Sequence, residues 1–71
     1  MHKLGQVLDA ESYEWLTANH PDLADAVEAE VKAGSQPDTI RRFVLKHTGG
    51  RFEISYRCEA AARYCKQQSE R

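Results

Sequence analysis

The chain has 71 residues, with 10 Lys and Arg against 11 Asp and Glu and a formal net charge of −1. That length holds one small domain with a thin core and little room for an enclosed active site, and the near-neutral charge predicts no strong overall attraction to any partner. No apolar run approaches the roughly 20 residues needed to cross a bilayer, and the first residues do not read as an export signal, so a cytoplasmic protein without membrane contact is expected.

Residues 1–8 read as a loose lead-in, from which Leu4, Val7 and Leu8 either dock on the core or begin the first helix early. The first helix is expected over residues 10–19, with Asp9 as its N-cap and Glu11 at the positive end of its dipole. Ser12, Trp15, Leu16 and Asn19 share one side of it, Trp15 and Leu16 anchoring the core, while Tyr13 faces elsewhere. His20 precedes Pro21 and is pushed out of helical geometry, and Pro21 opens the next helix at its first position. There Leu23, Ala24, Val27 and Val31 form the apolar stripe, and Gly34 ends the helix.

The segment over residues 35–50 carries the fullest set of helix signals. Ser35 and Asp38 stand at capping-box spacing, Pro37 suits the first turn, and Gly49 and Gly50 close the end. Within the expected helix, residues 37–48, the positions Ile40, Phe43, Val44 and His47 recur at the spacing of one apolar face. Arg41, Arg42 and Lys46 lie off that face. The last helix is expected over residues 52–68, where Ile54, Cys58, Ala61 and Cys65 keep helical period and Ala60, Ala61 and Ala62 favour helix. Its opening residues also alternate as in a strand, Phe52, Ile54 and Tyr56 against Glu53, Ser55 and Arg57; the longer helical period decides for helix. The predicted fold is all-α: one domain over residues 1–71, a compact bundle of three to four short helices. The predicted core is Trp15, Leu16, Leu23, Val27, Val31, Ile40, Phe43, Val44, Ile54, Cys58 and Ala61.

Chemistry is sparse. Cys58 and Cys65 are seven positions apart, about 10 Å along a helix, which is too far for a disulfide and lacks the paired spacing of a metal site. They read as core-filling thiols. His2, His20 and His47 fall in a tail, a turn and a helix end, with no orienting third group for a nucleophile pair. No catalytic, cofactor or metal site and no small-molecule substrate is expected, and the chain is not read as an enzyme.

Charge is distributed unevenly. Residues 1–35 hold seven acids and two bases, net −5, and residues 36–71 hold eight bases and four acids, net +4. The leading expectation is therefore a protein-interaction module: an adaptor, a regulatory subunit or a self-associating bundle, binding another protein or itself. Arg41, Arg42, Lys46, Arg57, Arg63 and Tyr64 are the expected contact residues, the last three beside Tyr56 in a mixed basic and aromatic patch. The alternative is a nucleic-acid binder. Residues 23–33 and 37–48 have helix-turn-helix proportions, and the basic face of helix 37–48 would enter the groove. Glu30 and Ser35 depart from that pattern, and the acidic helix before it would repel phosphates.

Overall fold

Four helices follow in sequence: α1 (His2–Asn19), α2 (Pro21–Lys32), α3 (Pro37–His47) and α4 (Phe52–Ser69). The structure, a computed structural model, describes residues 2–69, with side chains from residue 8 onward. The four helices pack as one all-α bundle, the class that the periodicity predicts. Its radius of gyration is 11.0 Å, matching the value of about 11 Å for a folded chain of this length.

The helix ends follow local chemistry. His20, ahead of Pro21, leaves helical geometry at φ −141° and ψ 67°, and its carbonyl still accepts the first bond of α2 from Ala24 N–H at 3.0 Å. α2 and α3 stop by the same device. After α2, Gly34 at φ 96° donates to the Val31 carbonyl at 3.0 Å and Ser35 to that of Glu30 at 2.9 Å. After α3, Gly49 at φ 73° donates to Lys46 at 3.3 Å and Gly50 to Leu45 at 2.8 Å. In each case a left-handed glycine turns the chain back on the last carbonyls of the helix.

Two expected starts move. α1 begins at His2, so residues 2–8 of the expected lead-in form its first two turns, residue 1 lying outside the described residues, and Asp9 sits inside the helix instead of capping it. The N-cap of α3 is Gln36, in extended conformation just before Pro37, and no side chain caps it. Proline at the first helical position moves the cap one residue past Ser35, whose hydroxyl donates to Glu30 Oε1 at 2.7 Å instead. Asp38 accepts from the Thr39 N–H at 3.0 Å.

α4 is the hub. It packs against each of the other three helices, whereas α2 and α3 touch each other least of all the packed pairs. That role explains its composition: Ile54, Ser55, Cys58, Ala60, Ala61 and Ala62 are buried around most of its circumference, and the small residues let three neighbours approach closely. The core gathers Leu16 from α1, Ala24 and Val27 from α2, Ile40 and Val44 from α3, and Ile54, Cys58, Ala61 and Ala62 from α4. Trp15, Leu23 and Val31 pack on its edge, as does Tyr13, which the sequence reading turned away from the core. The fold leaves Phe43 out of the core, at 64% exposure, and Cys65, expected to fill the core, is only half-buried. Ile40 and Val44 point straight at α4, and Phe43 is about 100° round the helix from Val44, on the flank facing α2. There α2 stands too far off to cover it.

Candidate interaction surface

The six basic and aromatic residues singled out by sequence fall into two groups. Arg63 crosses from α4 to α1, where its Nε and Nη2 donate to the two Asp9 oxygens at 3.2 and 3.0 Å, a forked pair with the carboxylate buried. Its Nη1 also lies 3.8 Å from Glu59. The Asp9 hydrogen bond raises the Arg63 pKa further, holding the guanidinium charged. Arg57 lies over the Trp15 ring with its Cζ 4.6 Å from the centroid, a cation–π contact in which the aliphatic stem also shields the indole. Its Nε is buried without a hydrogen-bond partner among the described residues. Tyr64 stacks on Tyr13 with ring centroids 5.2 Å apart. Arg41 bridges α3 to α4, its Nε 3.4 Å from Glu59 and its Cζ 5.6 Å from the Tyr56 centroid. These four side chains are held by the protein itself.

The other two face solvent. Arg42 and Lys46, one turn apart, lie opposite the buried Ile40 and Val44 on α3. Arg42 has an exposed i,i+4 pair with Asp38 at 3.8 Å, an arrangement worth only a few tenths of a kcal/mol, or about 0.5 kcal/mol at most. The Lys46 ammonium makes no ion pair or hydrogen bond among the described residues. Of the ion pairs among the described side chains, only Arg63–Asp9 joins the second half of the chain to the first. Asp22, Asp25 and Glu30 on α2 are exposed.

Between α2 and α3 runs an open apolar groove. Leu23, Val27, Ile40, Phe43 and Val44 line it around a cavity of about 70 Å³. It continues at the α2–α3 turn into a second hollow of about 150 Å³ formed by Glu30, Ser35, Thr39, Ile40 and Phe43. Phe43 stands at its mouth with the His47 ring stacked 5.6 Å away. Phe52 and Tyr56, at 60% and 54% exposure, add a second aromatic pair on the other flank of α3, near Arg41. The sequence reading placed Phe43 inside because its spacing fits the α3 stripe. Its position at the edge of that stripe, opposite a helix offering Ala26 and Glu30, is the signal that was available for this surface.

A larger hollow of about 380 Å³ opens between α1, α2 and α4, lined by Tyr13, Glu28, Lys32, Tyr64 and Cys65. The Tyr13 hydroxyl donates to the Glu28 carboxylate. That bond, with partial burial and the nearby negative charge, pushes the Tyr13 pKa up to about 12. The thiols are correspondingly quiet: burial pushes Cys58 up to about 11, and burial together with Glu28 raises Cys65. Among the described residues no three His, Cys, Asp or Glu side chains gather to hold a metal, and no helix is long and apolar enough to cross a membrane. Comparison with family models, curated proteins and solved structures finds no match to this chain.

Proposed function

We propose that the chain is a small protein-interaction module that docks a polypeptide along its α2/α3 face, serving as an adaptor, a regulatory subunit or a self-associating bundle. One observation carries the reading: Phe43 stands 64% exposed at the mouth of an apolar groove. Exposed aromatic side chains beside a recess are what interfaces enrich, and a contiguous apolar patch on a small domain marks an interaction site. Arg42 and Lys46, on the outer face of α3 behind Phe43, are the contact cations of this reading. The role is binding and not catalysis; the only thiol in the core, Cys58, is held protonated by burial.

The test is a photo-reactive amino acid in place of Phe43, irradiated in cells that express the full chain. Adducts between this position and a polypeptide are expected. Adducts to nucleic acid, or none, would overturn the reading.

A second reading, nucleic-acid binding by α3, draws on Arg42 and Lys46 pointing outward after a short turn. Against it, Arg41 is turned onto Glu59, and exposed Asp22, Asp25 and Glu30 on α2 would face the phosphates. It requires a gel shift at about 50 mM salt that weakens when Arg42 and Lys46 become Ala.

A further inference from the structure

We infer that the occupant of the α2/α3 groove is a second copy of this chain, the two related by a two-fold axis running along the groove. The inference rests on the interaction reading above and names its partner.

The groove carries both halves of its own complement. Its floor is apolar, with Val27, Ile40 and Val44 beneath and Phe43 standing out of it. Glu30 lines the groove at the α2 lip, with exposed Asp22 and Asp25 on the outer face of that helix, and exposed Arg42 and Lys46 stand on the outer face of α3, behind Phe43. A partner of single charge sign would meet like charge on one lip whichever way it lay. A two-fold axis along the groove instead places α2 of each copy over α3 of the other. The short turn at Gly34 to Gln36 keeps Glu30 level with the first half of α3, as its shared hollow with Thr39, Ile40 and Phe43 requires. In the pair, the acidic outer face of α2 in one copy, from Glu30 to Asp22, lies over Arg42 and Lys46 of the other, and each contact occurs twice. Ala26 and Ala29 on α2 and Ala33 at its C-cap, all exposed, offer no bulk to hold the opposing helix away. The area is sufficient: one side of a standard interface is about 800 Å², roughly a sixth of this chain's 5026 Å² surface, and two of four helices contribute to it.

Sedimentation velocity on the full chain, from micromolar to millimolar, tests this. The wild type is expected to dimerise, and more weakly in about 1 M than in about 10 mM sodium chloride, as the screening length shrinks from about 30 Å to about 3 Å. Phe43→Ser is expected to lose the dimer while circular dichroism stays unchanged. Reversing the acidic lip (Asp22→Lys with Glu30→Lys) or the basic lip (Arg42→Glu with Lys46→Glu) is expected to weaken dimerisation at least tenfold. An equimolar mixture of the two reversed proteins is expected to form a one-to-one heterodimer, because both sets of contacts are restored. A wild type that stays monomeric at every concentration and salt overturns the inference, as does a mixture no better associated than its components. Monomers together with Phe43 adducts to a different protein would remove the second copy and leave the interaction reading standing; monomers with adducts to nucleic acid would remove both.

Discussion

The α1/α4 seam and the α2/α3 seam use the same kinds of side chain to different ends. Across α1/α4, a carboxylate meets an arginine (Asp9–Arg63), a tyrosine meets a tyrosine (Tyr13–Tyr64) and an arginine lies on an indole (Arg57–Trp15). Across α2/α3 there are also acids, bases and an aromatic ring, but among the described residues Glu30, Lys46 and Phe43 make no ion pair or ring stacking across the seam. The two seams differ in helix separation. α1 packs closely along α4, so long polar side chains reach across. α3 gives its buried face to α4 and leaves its α2 flank open. The comparison teaches that the chemistry of a seam is set by how close the backbones come. One seam has spent its polar and aromatic groups on stability, and the other keeps them available.

The sharpest way to break this picture is to remove the shared core beneath both seams. Leu16, fully buried from α1, should cost about 2–5 kcal/mol as Leu16→Ala. A bundle this small has a total stability of only about 5 kcal/mol or so, so urea denaturation should find the variant partly unfolded in water. Next comes the closed seam itself. Arg63→Ala leaves the buried Asp9 carboxylate without its forked partner, a loss of about 1–3 kcal/mol once the half-exposure of Arg63 is discounted. Asp9→Ala should cost less, because the freed guanidinium can turn to solvent. Equal costs in denaturant titrations would show that the seam is not asymmetric in this way.

The closed seam should also show in alkali. Tyr13 ionises near pH 12 in the fold against an ordinary value of 10.0. Its contribution to stability is complete below pH 10 and disappears as pH rises towards 12. Thermal melts should fall over that window, and Glu28→Ala should bring the tyrosinate absorbance step down. The smallest effect on folding belongs to the open seam. Phe43→Ser should change stability by no more than about 0.5 kcal/mol, despite removing a phenyl ring from an apolar stripe. A loss of several times that size would place Phe43 in the core and close the groove.

Much of the bundle is legible from residue order. Apolar period, the proline opening each middle helix and the glycine after each specify α2 and α3 to within about two residues, because helix ends are decided by the φ angles and N–H groups of the residues that form them. The same reasoning misplaced the start of α1, since Asp9 looks like a cap to its immediate neighbours and is held inside the helix as the partner of Arg63, 54 positions away. It misjudged the starting cap of α3 by one residue, where proline outranks serine. For the candidate surface, sequence identified Arg42 and Lys46 as lying off the buried stripe, and could not distinguish them from Arg41, Arg57 and Arg63, which are equally polar.

By itself, then, the sequence determined that this chain is helical, where its middle helices begin and end, and which face of each helix is apolar. These are consequences of bonds and torsions within a few residues. Only the tertiary structure decided that α4 is the hub, that Phe43 stands outside, and which arginines are already paired. Those outcomes depend on the distance between helices, which is set by every side chain packed between them and is encoded in no single stretch of the chain.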